Sequence, residues 1–259
     1  MIEQSEEVIV ERRDDVAIVT LNRPKAINAF NDAVRNAVRE IFRALNEDPQ
    51  IAVIVLTGAG DRGFCVGADI KEPQESLSAL EHRKRLMPFS WIESLDRSEK
   101  PVVAALHGYC LGGGLELAMA CDIRIAAKNT QLGLPETTLG LIPGGGGTQR
   151  LPRLIGLSRA LDMLITGDRV NAEEAYRIGL VTRLADTREE CLSAAITLAQ
   201  RIAKLPRAAV AYAKEAARSG INLDLSSGLT LEKTLFSLLT TTRERTEAVA
   251  AFREKRSDK

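Results

Sequence analysis

Residues 102–126 read VVAALHGYCLGGGLELAMACDIRIA. Residues 102–106 and 123–126 have the apolar composition of strands, and residues 115–121 between them read as a helix. A strand, a glycine-rich turn, a helix and a second strand form the crossover that parallel strands require. Further out, residues 51–56 are another unbroken apolar run, mostly β-branched, as in a strand covered on both faces. Residues 8–10 and 16–21 read as two strands around the polar turn 12–15, and Asn22-Arg23-Pro24 ends the pattern. From 31 to 46 the residues Val34, Val38, Ile41, Phe42 and Leu45 recur at helical spacing. A short strand is expected at 131–134. This alternation predicts an α/β fold with a largely parallel sheet.

After Ile142 the chain becomes mainly helical, with patterns at 158–165, 172–179, 188–205, 207–219, 229–241 and 246–255. Residues 71–85 are polar and mixed, and read as a further helical stretch. The expected organisation is a core over residues 1–200 and a C-terminal helical region over 201–259, with no internal repeat. The 259 residues carry 35 basic and 35 acidic side chains. With a formal charge of zero, no global field recruits nucleic acid or an acidic membrane. Cys65, Cys110, Cys121 and Cys191 are scattered and form no C-x-x-C pair, so buried reduced thiols are expected rather than zinc or disulfides. The acidic N-terminus has no basic or apolar signal region, and no run of about eighteen apolar residues spans a bilayer. A cytoplasmic protein, or the mature form of an organelle enzyme, is expected.

In an open α/β sheet, ligands sit beyond the carboxyl ends of the strands. Residues 63–70, 107–116, Pro135-Glu136 and residues 143–147 follow strands or apolar runs. Gly112, Gly113 and Gly114 stand at the mouth of a helix, whose first N–H groups lack intrahelical partners. They suit close approach of an oxyanion, or equally close packing of helix on strand. Glu116 lies among Leu115, Leu117, Ala118, Met119 and Ala120. Buried there, its carboxylate would rise in pKa and suit acid–base work; the alternative is a surface glutamate or one paired with arginine. Glu136 alone reads as an exposed loop acid, but two carboxylates at separate strand ends suit acid–base chemistry together. His107 reads as a hydrogen-bonded structural histidine and His82 as part of a solvated helix face. The glycines at 144–147 lack the Gly-Lys-Ser/Thr of a P-loop. Arg35, Arg39 and Arg43 form a stripe that could face RNA phosphates. The interspersed Asp32, Glu40, Glu47 and Asp48 favour a salt-bridged surface instead.

Taken in order, several motifs resemble the crotonase, or enoyl-CoA hydratase/isomerase, family. They are Leu21-Asn22-Arg23-Pro24, Phe64-Cys65-Val66-Gly67-Ala68-Asp69-Ile70-Lys71, residues 108–122, Leu134-Pro135-Glu136 and residues 139–152. Thr166-Gly167, residues 172–181 and the ending Ala251-Phe252-Arg253-Glu254-Lys255-Arg256 extend the likeness over essentially the whole chain. The resemblance implies a spiral of ββα turns with a C-terminal helical trimerisation region, assembled as a homotrimer or a hexamer. It implies an enoyl-CoA hydratase with catalytic Glu116 and Glu136, Glu136 donating a proton to the α-carbon and Glu116 activating water. The oxyanion hole falls on the backbone N–H groups of Ala68 and Gly113. Coenzyme A contacts fall on Lys25, Ala26, Ala68, Asp69, Ile70 and Lys71, more by backbone than by side chain. No metal or redox cofactor is implied, since coenzyme A is part of the substrate.

A double-bond isomerase on the same fold can work with one carboxylate; the presence of both favours a hydratase. Residues 112–124 and 143–153 are also similar to methylglutaconyl-CoA hydratases. That likeness would give a branched acidic acyl chain, with Arg83, Lys84 or Arg85 as counter-charge, while crotonyl-CoA remains the general expectation. An RNA-binding role through the Arg35 stripe is the distant alternative.

Overall fold

The apolar runs become strands whose alternate residues enter two different cores. Val8–Arg13 (β1) pairs antiparallel with Val16–Leu21 (β2). Then Val53–Gly58 (β3), Val102–Leu106 (β4), Ile123–Ala127 (β6) and Arg183–Ala185 (β9) add on in parallel, in the order β1-β2-β3-β4-β6-β9. One face presents Val19, Leu21, Ile54, Leu56, Ala104 and Leu106 to the larger core. The other presents Ile18, Val53, Val55, Val103, Ala105 and Ile125. Strands buried on both faces cannot alternate in polarity, which is why their sequences read as continuous apolar runs. The computed structural model describes residues 5–72, 78–86 and 91–257.

The larger core is closed by Asp32–Glu47 (α1), which buries Val34, Val38, Ile41, Phe42 and Leu45 along one stripe. Each such side chain contributes about 1.5–3 kcal/mol relative to exposure. The Asn31 side chain caps α1 by accepting from the Val34 N–H at 2.9 Å. The second face is covered by Arg188–Ala203 (α8) through Cys191, Ala195, Leu198 and Ala199.

A smaller sheet of Tyr109–Leu111 (β5), Gln131–Gly133 (β7) and Arg169–Asn171 (β8) makes the spiral. The chain passes from β4 to β5 and then into Gly113–Ala120 (α4); from β6 it passes to β7 and a 3-10 helix over Pro135–Leu139. Bridges from Gly63 to Gly108 and from Cys65 to Cys110 lay the segment after β3 against β5. The remaining helices are Ala79–Leu86 (α2), Glu93–Asp96 (α3), Gly147–Ile155 (α5), Leu157–Thr166 (α6), Ala172–Arg177 (α7), Arg207–Gly220 (α9), Leu225–Leu239 (α10) and Arg243–Ser257 (α11). Among the described residues no helix is long and apolar enough to cross a membrane.

Three strands and two helices depart from the expectations; the short α3 was not expected at all. β5, β8 and β9 have three residues each, too few to display a period. Helix α5 starts in a glycine run and contains Pro152, both helix-breaking signals, yet it buries Leu151 and Ile155. Helix α8 stays on the sheet to Ala203, so the change to the C-terminal helices falls just beyond residue 200.

Helix α4 lies so close to the segment after β3 that a Cβ on Gly114 would stand 2.2 Å from the Cys65 carbonyl oxygen. Backbone oxygen cannot give way there. Gly114→Ala is expected to cost about 1–3 kcal/mol, seen as a lower urea midpoint at unchanged slope. An unchanged midpoint would show that this contact does not hold.

Candidate active site

Two chain segments meet where α4 begins. A Cβ on Gly67 would lie 3.0 Å from the Gly113 nitrogen, so the loop after Cys65 and the first turn of α4 face each other. Phe30 bridges to Ala68 as a one-residue parallel ladder, in which Phe30 N–H donates to the Gly67 carbonyl and Asp69 N–H donates to the Phe30 carbonyl. That ladder uses the groups on either side of Ala68 and turns the Ala68 N–H to the opposite edge. Gly113 is the first residue of α4, where an N–H has no partner within the helix. Among the described residues neither N–H donates to an acceptor. The structure thus brings together the two donors expected from Ala68 and Gly113, at the positive end of a helix.

Glu116 occupies the first turn of α4 and is only 3% exposed. Its Oε1 accepts the N–H groups of Gly145 and Gly147, each at 2.7 Å. These come from the glycine loop leading into α5. Burial pushes the Glu116 carboxyl above the usual range; the N–H groups of Gly147 and Gly145, and then Arg150, oppose the rise. Glu136 sits in the first turn of the 3-10 helix and is half-buried. Its Oε2 is buried and, among the described residues, accepts no hydrogen bond. Burial raises its pKa first of all, its own backbone N–H opposes the rise, and the charge of Glu116 adds to it. The two carboxyls therefore feel each other, one with donors on an oxygen and one with an orphaned oxygen. Burial raises both, and they differ in the donors that their oxygens accept.

The segments expected to meet coenzyme A stand at the mouth of this site. Lys25, Lys71 and Ala68 are exposed, Ala26 and Asp69 are half-buried, and Ile70 is 82% exposed. Asp69 is already engaged. The Lys71 N–H, and then the Arg23 guanidinium at 2.9 Å, hold its carboxyl below the usual range. Its side chain clips two loops together, while its N–H donates to the Phe30 carbonyl and its carbonyl accepts from the Glu72 N–H. The buried Asn28 side chain, unremarked in the sequence, fixes the 23–28 turn. It accepts from the Arg23 N–H and donates to the carbonyls of Ala59 and Gly63, each at 2.9 Å.

Other sequence features fall outside the site. Arg35 pairs with Asp32 and Glu72 and stacks over Phe30, and Arg43 pairs with Glu40, so this stripe is largely a salt-bridged face. His107 is buried with its Nε2 on the Gly60 carbonyl. All four cysteines are buried and unpaired. Arg83 and Lys84 are exposed on α2, while the side chains of His82 and Arg85 lie outside the described residues. Sequence reasoning missed Gly145 and Gly147, which act through backbone, and Arg150, whose guanidinium reaches the Gly145 carbonyl at 2.6 Å.

The profile of the enoyl-CoA hydratase/isomerase family matches residues 11–259. A crotonyl-CoA hydratase of Syntrophomonas wolfei is 43% identical over 97% of this chain and 96% of its own length. A short-chain-enoyl-CoA hydratase of Clostridium acetobutylicum is 40% identical over 96% of this chain and 95% of its own. The crystal structure of an enoyl-CoA hydratase from Bacillus anthracis matches with a TM-score of 0.91 and 41% identity, covering 96% of each chain.

Because the Glu136 pKa is raised on folding, its neutral form is the one the fold tolerates. That contribution to stability is complete below the ordinary glutamate pKa and is lost as pH rises through the raised value. Glu136→Gln removes the titration. Its melting temperature relative to wild type is expected to climb as pH increases across that window and then level off. Parallel melting curves at all pH values would show that Glu136 is not strained by ionisation.

Proposed function

The chain belongs to the enoyl-CoA hydratase/isomerase family, and from that premise we propose that it adds water across the 2,3 double bond of a short-chain 2-enoyl-CoA to give the 3-hydroxyacyl-CoA. The observation that carries the reading is the pair of unlike carboxyls beside the mouth of α4. Glu116 is held by two N–H groups, and Glu136 faces it electrostatically with an unpartnered oxygen. The crotonyl-CoA and short-chain names of its relatives suggest the acyl length.

In the proposed mechanism the thioester carbonyl accepts the N–H groups of Ala68 and Gly113. This draws electrons from the conjugated double bond and stabilises the enolate that forms as water attacks. Losing one such donor costs about 10²- to 10³-fold in rate. Glu116, held by two backbone donors, acts as the base and takes a proton from water while the water oxygen bonds to the β-carbon. Glu136, whose environment favours the protonated form, delivers its proton to the α-carbon. One water is consumed and no electron acceptor takes part; the pair is reset when Glu116 gives up the proton and Glu136 regains one. Because the two groups are coupled, a pH profile reports the pair rather than each residue.

In this reading the coenzyme A moiety lies along Lys25, Ala26, Ala68, Asp69, Ile70 and Lys71, chiefly on backbone. Residues 1–200 form the catalytic core, and residues 201–259 serve assembly as a homotrimer or a dimer of trimers. Support for assembly comes from Leu225, Leu229, Phe236, Leu238 and Phe252, large apolar side chains left exposed on the C-terminal helices of the single chain.

Wild-type protein mixed with crotonyl-CoA is expected to abolish the enoyl-thioester absorbance. Glu136→Gln should slow that reaction by about 10²- to 10⁴-fold while acyl-CoA binding persists. Wild-type turnover by the amide would remove Glu136 from its role. Conversion of a 3-enoyl thioester in place of hydration would indicate the isomerase.

A further inference from the structure

The loop that holds Glu116 is itself held from a distance. Arg150, in the first turns of α5, folds back so that its Nη1 donates to the Gly145 carbonyl at 2.6 Å, while its Nη2 pairs with Asp96 of α3. The Nη1 also stands where a Cβ on Gly146 would be, so the guanidinium lies flat against the glycine loop. Asp96 uses its other oxygen to accept Arg218 of α9 at 2.8 Å. Arg218 donates in turn to Asp122 at 2.8 Å and to the Ala120 carbonyl, at the end of α4, at 2.6 Å. Asp122 is joined by Lys214 at 2.9 Å and by the Val102 N–H at 2.7 Å. These side chains are all less than one-third exposed, so their attraction is screened less than that of a surface pair.

We propose that Arg150 is a positioning residue for Glu116, and that α9 sets the position of Arg150 through Asp96 and Arg218. The proposal rests on the hydratase reading, in which Glu116 must be aimed at the attacking water. Neither Arg150 nor Asp96 donates to or accepts from Glu116. Arg150 acts by fixing Gly145, whose N–H lies on Glu116 Oε1, and by placing a positive charge beside the carboxylate. The chain of contacts couples the C-terminal helices to the aim of the base through a fork of donors that a lysine cannot reproduce.

The test compares wild type, Arg150→Ala, Arg150→Lys and Asp96→Asn in crotonyl-CoA hydration, with amide exchange at Gly145 and Gly147 measured on the same proteins. For Arg150→Ala, kcat is expected to fall about 10- to 100-fold with KM within about twofold. Millimolar guanidinium chloride should restore part of kcat by filling the vacated site. Arg150→Lys should stay impaired, Asp96→Asn should show a smaller fall in kcat, and exchange at Gly145 and Gly147 should quicken in each variant. Asp96→Asn, which keeps the side-chain volume, decides the matter if Arg150→Ala does not fold. Unchanged kcat with unchanged exchange, a rise confined to KM, or no response to guanidinium would overturn the proposal. If wild type does not hydrate crotonyl-CoA, the hydratase reading fails, and the exchange rates alone decide whether Arg150 and Asp96 hold the loop.

Discussion

The acceptance of two glycine N–H groups by one oxygen of Glu116 is the contact on which the rest of the site depends. A carboxylate inside an apolar helix is costly unless its lone pairs are occupied. Here the donors come from the N-terminus of α5, so one contact serves two ends: it satisfies Glu116 and it caps a helix that opens on glycine. The geometry admits no side chain. A Cβ on Gly145 would meet Ile92 at 2.6 Å and the Glu116 carboxyl at 2.8 Å, and one on Gly147 would meet Pro143 at 2.7 Å. The glycines therefore do not mark flexibility or phosphate binding. They let backbone approach a buried acid.

From this contact follows the division between the two carboxyls. Both are pushed upward by burial; two glycine N–H groups and a nearby guanidinium oppose the rise at Glu116, and its own backbone N–H opposes it at Glu136. Glu136 has an orphaned oxygen and a negative neighbour adding to it. Two glutamates of the same intrinsic chemistry thus stand in unequal surroundings, the arrangement from which the proposed acid and base are drawn.

Much of the architecture was legible because burial on both faces leaves a plain signature. The strand at 102–106 agrees to the residue, and α1 lies within one residue at each end of its apolar stripe. In the second sheet β7 answers the short strand expected at 131–134, but β5 and β8 were not legible, since their place is set by partners far along the chain. Glu116 was visible as a carboxylate out of place among leucines and alanines. Its supports were hidden: residues 144–147 read only as glycines that were not a P-loop, and an N–H group carries no signal in the side-chain sequence. The Ala68 donor was reached through resemblance alone. What frees it is the bridge to Phe30, which no local pattern announces. Asp69 and Asn28 teach the same lesson in reverse, since their polar side chains are spent on holding loops together.

The ion-pair chain from Arg150 to Lys214 changes how the C-terminal helices are to be regarded. Helix α9 buries no side chain fully within the single chain, so apolar contact alone does not fasten it to the core. Its attachment is polar and directional: Arg218 spans Asp96, Asp122 and the end of α4, while Lys214 reaches Asp122 and the Lys100 carbonyl. Polar contacts of this kind fix orientation more firmly than they add stability, because each charge loses hydration on pairing. They also meet at Asp96, which pairs with the Arg150 that holds the glycine loop, and at Asp122, in the turn after α4. An apolar face displayed on α10 and α11 is thus presented by a scaffold that is tied to the loop holding Glu116. Whatever covers that face bears on the same few ångströms of backbone that aim Glu116.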